Sequence, residues 1–353
     1  MVSRRSLIEN GILIAAGFAA KPALFAEPPA LFAAPPAMPG DEVAGASAKT
    51  WTIGNDKIRR TLAFHPETGL LTEQWTDLST HADFIRPETI NMGMAQEFSF
   101  LCNGLQCEGT NADFEFIDAG ESAFPQGKAL TIRLRHKQLA LEVSAIYRAY
   151  DGHPAIRKHL VLRNTGAATL RFSHLCIEAV GVSLGPENEV TLLTQYGTIP
   201  REIFYTGRSE DAGLLLANGR TGIGLAILSE VPGYMKRTEI SGWDDPEHAR
   251  IAVLYDTDLM PFERALAGGE EFKTAAVSLV TFRNGDGVHD PHWLLPSYTA
   301  QVLTRRIDTE GPPWIYNTWE PFQRGINRDI TLALIDAAGA MGMDIFTIDD
   351  GWQ

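Results

Sequence analysis

The stretch that decides the fold class lies near the middle of the chain, with LTIRLR at residues 130–135 and ALEVSAIY at residues 140–147. Apolar and polar side chains alternate in both segments, and alternation with period two is typical of a strand that buries one face. A third segment, HLVLR at residues 159–163, leads into the turn-forming sequence NTG at residues 164–166. These residues predict consecutive antiparallel strands.

The same pattern extends over most of the chain in both directions. Further strand segments are Val190–Thr194 and residues 213–217, 222–228, 250–254 and 275–282. More than ten strands without a fixed repeat spacing indicate two large stacked antiparallel sheets over residues 50–285, and they argue against a propeller. The fold class is therefore expected to be mostly β. Residues 286–311 are interpreted as a connecting segment with one short helix at residues 298–307.

The start of the chain has the features of an export signal. Arg4 and Arg5 precede a mildly apolar run at residues 11–20 that is too short to span a bilayer, which takes about 20 residues. Residues 1–26 are therefore predicted to be a twin-arginine-like signal, and the Ala/Pro-rich residues 27–49 a linker. The expected location is the periplasm or the extracellular space, without a membrane span.

The net charge and the cysteines bear on possible partners and on disulfide formation. The formal net charge is -14, which argues against nucleic acid as a partner because binding to phosphates needs a basic face. Cys102 and Cys107 could close a small disulfide loop in an exported protein. The alternative that these two and Cys176 are small buried hydrophobic residues is slightly favoured.

The character of the sequence changes near its end. Residues 314–318 and 344–348 are compact, apolar strand candidates, and the second is expected to be buried. Between them, Asn327 is a favourable helix start and Gly342 a favourable helix stop. Strand, helix and strand in about 30 residues predict one βαβ unit with parallel strands over residues 312–353.

Polar and aromatic residues cluster at the strand ends of this unit. Trp319 and Glu320 follow the first strand, and Asp349, Asp350 and Trp352 follow the second. Carboxylates accept hydrogen bonds from hydroxyl groups, and indole faces stack on the C–H side of a sugar ring. The cluster therefore predicts a sugar site. The alternatives are an ordinary Asp-Gly turn for the aspartates and simple packing for Trp319.

The segments NTWE at residues 317–320 and IFTIDDGW at residues 345–352 resemble glycoside hydrolase family 36, chiefly α-galactosidases. The resemblance implies an N-terminal β-supersandwich followed by a (β/α)₈ TIM barrel, and retaining hydrolysis of terminal α-galactosides. It also implies that Asp349 and Asp350 bind galactose hydroxyls. Trp319 and Trp352 are then further substrate-binding residues, and an α-galactoside oligosaccharide or glycan is the expected partner.

The resemblance places no catalytic residue in this sequence. In the family the nucleophile and the acid/base are aspartates on later barrel strands. The chain is therefore expected to be a fragment with an incomplete barrel, inactive alone. No metal or organic cofactor is implied, because this chemistry uses carboxylates. Whether the protein forms a homo-oligomer is left open.

The early part of the β-domain departs from the family, since residues 94–118 do not match the acidic, Gly-rich, Arg-containing segment of better-known members. This leaves the exact substrate open. The alternatives are an α-N-acetylgalactosaminidase and an exported carbohydrate-binding β-sandwich without catalytic activity. The export signal argues against a raffinose-type galactosyltransferase, whose donor sugars are normally intracellular.

Overall fold

The structure, a computed structural model, describes residues 48–85, 97–110, 112–186, 189–194, 197–202, 206–209, 213–230, 236–242, 249–255, 260–304 and 313–352. The predicted export signal lies outside the described residues, and so does the predicted linker apart from its last two residues.

Most of the described chain is strand, as predicted. In chain order the strands are β1 Lys49–Gly54, β2 Ile58–His65, β3 Gly69–Asp77, β4 Ala82–Asp83, β5 Glu97–Cys102, β6 Leu105–Glu108, β7 Phe114–Phe124, β8 Gly127–His136, β9 Leu141–Tyr150, β10 Ala155–Asn164, β11 Leu170–Val182, β12 Val190–Thr194, β13 Gly197–Glu202, β14 Thr206–Ser209, β15 Gly213–Asn218, β16 Ile223–Ser229, β17 Arg237–Gly242, β18 Ala249–Tyr255, β19 Glu263–Leu266, β20 Glu271–Lys273, β21 Val277–Arg283, β22 Ile315–Asn317 and β23 Ile345–Thr347.

Two large antiparallel sheets form the body of the domain, which confirms the predicted class. The ten-stranded sheet has the order β13-β12-β15-β16-β21-β10-β9-β8-β7, with β20 also paired to β10. The seven-stranded sheet has the order β14-β17-β18-β11-β5-β6, with β19 also paired to β11. Strands β1 to β4 form a further four-stranded sheet, which alternation alone did not predict because the pattern does not say which sheet a strand joins.

The three larger sheets share one hydrophobic core. It includes Trp75 from the four-stranded sheet, Phe100 from the seven-stranded sheet and Leu160 from the ten-stranded sheet, each fully buried. Strand β9 shows the origin of this core, because its first nine residues alternate between buried and half-buried. The inward-facing members pack between the sheets, which is the physical consequence of the period-two pattern.

Helices follow the last strand of the large sheets. Helix α1 spans Pro291–Tyr298 and continues as a π-helical turn at Thr299–Leu303. The prediction of a helix at residues 298–307 was therefore wrong about both ends. Asp290 caps the helix through the amide of His292 with Pro291 in its first position, and the helical turns stop at Leu303. None of the helices in the described part of the chain is long and apolar enough to cross a membrane.

The C-terminal segment forms the predicted βαβ unit. Strands β22 and β23 pair in parallel, with Ile315 opposite Ile345. A short helix α2, Trp319–Phe322, follows β22, and helix α3 spans Arg328–Ala340 with Asn327 as its N-cap. The expectation that the second strand is buried was wrong for this structure, since Ile345 is 44% exposed. Large apolar side chains are exposed throughout this unit: Trp314, Ile315, Trp319, Leu332, Ile335, Met341, Ile345, Ile348 and Trp352.

A cluster of four charged side chains lies in the interior of the large domain. Arg60, Glu97, Lys158 and Glu178 are all completely buried, and they come from all three larger sheets. The Arg60 guanidinium lies 2.9 Å from a Glu97 carboxylate oxygen and 3.0 Å from one of Glu178, and the Lys158 ammonium lies 2.9 Å and 3.1 Å from the same two groups. Two positive and two negative charges therefore balance, as burial of charge requires.

Because of this charge cluster, we expect the free energy of unfolding to fall at acid pH. Burial by itself would raise the pKa of Glu97, but Arg60 and Lys158 outweigh it and hold the pKa at about 2, below the ordinary 4.5. A carboxyl group whose pKa is lower in the folded than in the unfolded state stabilises the fold when the pH is above the unfolded-state pKa. This stabilisation is lost as the pH falls from 4.5 towards 2. We expect Glu97 to account for a loss of roughly 3 kcal/mol in the free energy of unfolding over that range. Urea unfolding at pH 6, 4.5 and 2.5 measures it. If the free energy of unfolding of a Glu97→Gln variant fell by the same amount between pH 6 and pH 2.5, the assignment to Glu97 would be contradicted.

The cysteines are free thiols in this structure. Cys102, Cys107 and Cys176 are all buried, which agrees with the interpretation as small hydrophobic residues and not with a disulfide around residues 103 and 104. Burial raises the pKa of Cys102 to about 11 and that of Cys107 to about 12, so neither forms a thiolate near neutral pH.

Candidate sugar-binding site

The two parallel strands of the βαβ unit bring their carboxyl ends together, as the spacing predicted. Thr318, which is fully buried, joins them: its amide donates to the Thr347 carbonyl at 3.2 Å, and its hydroxyl oxygen accepts from the Asp349 amide at 3.0 Å. The two loops are thereby held in one position relative to each other. In parallel α/β folds this edge of the sheet is where ligands bind.

Asp349 is oriented by the neighbouring strand end. Its carboxylate accepts a hydrogen bond from the Asn317 side-chain amide at 2.9 Å and another from the Asp350 backbone amide at 2.7 Å. The hydrogen bond from Asn317, followed by that from the Asp350 amide, lowers the pKa of Asp349 below its ordinary value. The group is therefore an acceptor at neutral pH, with lone pairs left for a ligand hydroxyl.

Asp350 is oriented by hydrogen bonds from other groups than those that bind Asp349. One carboxylate oxygen accepts from Arg324 Nε at 2.7 Å, and the other accepts from the Gly351 amide at 2.8 Å. The two adjacent carboxylates thus have different side-chain partners, because neighbouring residues that leave a strand point in different directions. Such an arrangement can receive two hydroxyl groups of one ligand.

The two predicted tryptophans are exposed at the same edge. Trp319 is 38% exposed and begins helix α2, where its amide donates to the Asn317 side-chain oxygen at 2.7 Å. Trp352 is 68% exposed and directly follows the Asp-Asp-Gly turn. The structure therefore places both indoles next to the carboxylates in the chain and leaves apolar area on them. Their role in substrate binding stays a prediction.

Sequence reasoning did not assign roles to Asn317, Thr318 and Arg324. Asn317 and Thr318 lie within the quoted NTWE segment, so their position at a strand end was a usable signal. Arg324 follows helix α2 and reaches Asp350 only because of the path of the loop, which the sequence pattern does not reveal. No group of three or more His, Cys, Asp or Glu residues in the described ranges is arranged to hold a metal ion.

Comparison with known proteins supports the resemblance seen in the motifs. The chain is 22% identical over 247 residues to "Alpha-galactosidase 2" of Pediococcus pentosaceus, a match that covers 63% of this chain and 32% of that protein. The chain therefore spans about a third of the length of this curated relative. No family model matches the chain.

Solved structures agree in fold. The α-galactosidase from Lactobacillus brevis aligns with a TM-score of 0.60 and 14% identity, over 86% of this chain and 48% of that one. The family 36 α-galactosidase AgaA from Geobacillus stearothermophilus, solved as one variant with stachyose and another with raffinose, gives TM-scores of 0.61 and 0.60 at 14% and 15% identity, with both alignments covering 86% of this chain and 50% of that one. The resemblance to glycoside hydrolase family 36 is thus confirmed, and the described part of this chain has the fold of the N-terminal part of these α-galactosidases.

Proposed function

We propose that this chain supplies the galactose-binding part of a retaining α-galactosidase that acts on terminal α-galactosides such as raffinose and stachyose. The observation that carries the proposal is the pair Asp349 and Asp350, each fixed by its own partner at the joined ends of two parallel strands. The confirmed resemblance supports it, and so do the stachyose and raffinose bound to the solved relative.

In the proposed mechanism these residues bind and orient the sugar. Asp349 and Asp350 accept hydrogen bonds from ring hydroxyls, and Trp319 and Trp352 cover the apolar side of the ring. Bond cleavage with retention needs two carboxyl groups about 5–5.5 Å apart on opposite sides of the scissile bond, through a galactosyl-enzyme intermediate. We assign neither of those groups to a residue of this chain, so the chain alone is expected to be inactive.

The test is an assay on the natural gene product that carries these residues. Incubation with raffinose, followed by proton NMR, should show galactose released first as the α-anomer. Release of the β-anomer first would refute the retaining mechanism. Turnover of α-N-acetylgalactosaminides but not α-galactosides would favour that alternative substrate. Absence of any turnover would refute the hydrolase and favour a carbohydrate-binding protein.

Gly351 provides a prediction about the shape of this site. Its φ is +102°, and a Cβ at this position would lie 2.6 Å from Arg324 Cα, which is closer than such atoms approach. Gly351→Ala therefore has to move either Arg324 or the Asp350 backbone, and we expect kcat/KM for raffinose to fall at least tenfold.

A matched control lies in the same unit. A Cβ at Gly339 in helix α3 meets nothing within 4 Å, so Gly339→Ala should keep full activity and stabilise the helix by about 1 kcal/mol. Equal activity of both variants would contradict the role given to the Asp350–Gly351 turn.

We also propose that residues 1–26 direct export in the folded state. Replacement of both Arg4 and Arg5 by lysine is expected to leave the protein in the cytoplasm, because the twin-arginine pathway reads that pair. Fractionation of cells that express the two forms measures it. Unchanged export of the double variant would refute the assignment.

A further inference from the structure

Two consecutive short strands connect the two large sheets of the β-domain. Strand β19 pairs with β11 of the seven-stranded sheet, and strand β20, which follows directly, pairs with β10 of the ten-stranded sheet. An open groove of about 410 Å³ lies along these two strands. We call it the edge groove, and its lining includes Tyr255, Phe262, Glu263, Arg264, Phe272 and Lys273.

The edge groove has an aromatic lining. The ring centroids of Tyr255 and Phe262 are 6.0 Å apart, and those of Phe262 and Phe272 are 5.9 Å apart. Phe262 and Phe272 are half-buried, so part of each ring faces the groove. The groove therefore presents two apolar ring faces to a ligand.

The edge groove is lined by two cations and one carboxylate, although the chain as a whole is acidic. The sequence has 44 acidic and 30 basic residues, yet Arg264 and Lys273 both line the edge groove and neither forms an ion pair with a described residue. The Arg264 guanidinium instead lies 5.5 Å from the Phe272 ring centroid. Some other arginines of the same domain are paired with a carboxylate, as Arg133 is with Asp118.

A second groove meets the first at Glu263 and Arg264. It has a volume of about 550 Å³, and its other polar lining residues include Asn103, Arg171 and Ser173. Arg171 also has no ion-pair partner in the described part of the chain, so one carboxylate, Glu263, faces three cations along the two grooves. Both volumes are within the range of small-ligand sites.

We propose that the edge groove is a second saccharide-binding site that takes a pyranose carrying a negative charge, either a uronate or a sulfate ester. Ring C–H groups pack on Phe262 and Phe272, because aromatic faces bind the apolar side of a sugar. The Arg264 guanidinium pairs with the anionic group in its planar two-pronged geometry, and Lys273 adds a second positive charge. Two cations on a strongly acidic chain are too few for nucleic acid, whose affinity comes from many phosphate contacts. The inference does not rest on the proposed hydrolase activity.

The experiment is calorimetric titration of the 353-residue chain with digalacturonate and with galactose 6-sulfate, beside neutral galactobiose and free sulfate. At least one acidic sugar is expected to bind at least tenfold more tightly than galactobiose and than free sulfate. Arg264→Gln with Lys273→Gln should weaken that binding at least tenfold. Arg59→Gln, at an exposed arginine on β2, should leave it unchanged.

Each other outcome overturns the proposal. If galactobiose bound as tightly as the acidic sugars, the negative charge would not contribute to binding. If free sulfate bound as tightly, the groove would be a simple anion site. No binding of either acidic sugar, or unchanged affinity in the double variant, would remove the site. Both replaced side chains are exposed, so circular dichroism melting should confirm that the variant is folded.

Discussion

Replacement of Asp350 by alanine is expected to lower kcat/KM of the natural gene product for raffinose by about 10²- to 10⁴-fold. A hydrogen bond to a charged group contributes about 1.5–3 kcal/mol, and in the proposed site this carboxylate accepts one from a sugar hydroxyl as well as one from Arg324. The change also leaves the Arg324 guanidinium without the partner that it contacts at 2.7 Å. Steady-state kinetics with raffinose and melibiose measure the effect.

The control is an aspartate in the same unit without a contact to the site. Asp336 lies on the exposed face of helix α3, and Asp336→Asn should change kcat/KM less than twofold. Asp350→Asn keeps the shape but loses the charge, so its activity is expected to lie between that of wild type and that of the alanine variant. Full activity of Asp350→Ala would refute the binding role and would leave the Asp-Asp-Gly segment as an ordinary turn.

Replacement of Glu178 by glutamine is expected to lower the free energy of unfolding of the β-domain by about 3–5 kcal/mol. Glu178 contacts both Arg60 and Lys158 in the fully buried charge cluster, and the substitution leaves two positive charges facing only Glu97. A buried charge without its partner is strongly destabilising. Urea unfolding at neutral pH measures the loss.

Two further variants test this explanation. Glu142→Gln removes a partner of Arg135, which is 53% exposed and 3.4 Å away, so the loss should stay within about 1 kcal/mol. Lys158→Met combined with Glu178→Leu removes one charge of each sign, and it should restore most of the stability lost in Glu178→Gln. A double variant less stable than Glu178→Gln would show that packing, and not charge balance, decides the outcome.

The β-architecture was accessible from the sequence because its signal is local. Val190–Thr194 was predicted with its observed bounds, and the strand predicted at residues 213–217 is observed as Gly213–Asn218. The βαβ unit was predicted for the same reason, since its apolar spacing, the Asn327 cap and the Gly342 stop all act within a few residues. Helix α1 could also have been found from Asp290-Pro291, which is a typical helix start.

The sequence by itself determined the mostly β class, the parallel unit at the end and the grouping of Asp349 and Asp350 with Trp319. Each depends on periodicity or on strand-end position, which neighbouring residues specify. Only the tertiary structure decided the separate four-stranded sheet, the buried Arg60–Glu97–Lys158–Glu178 cluster, the contact of Arg324 with Asp350 and the edge groove along β19 and β20. These features join residues as far apart as Arg60 and Glu178, which are 118 positions apart. Such contacts depend on strand pairing and sheet packing across the whole domain, and no local pattern encodes them.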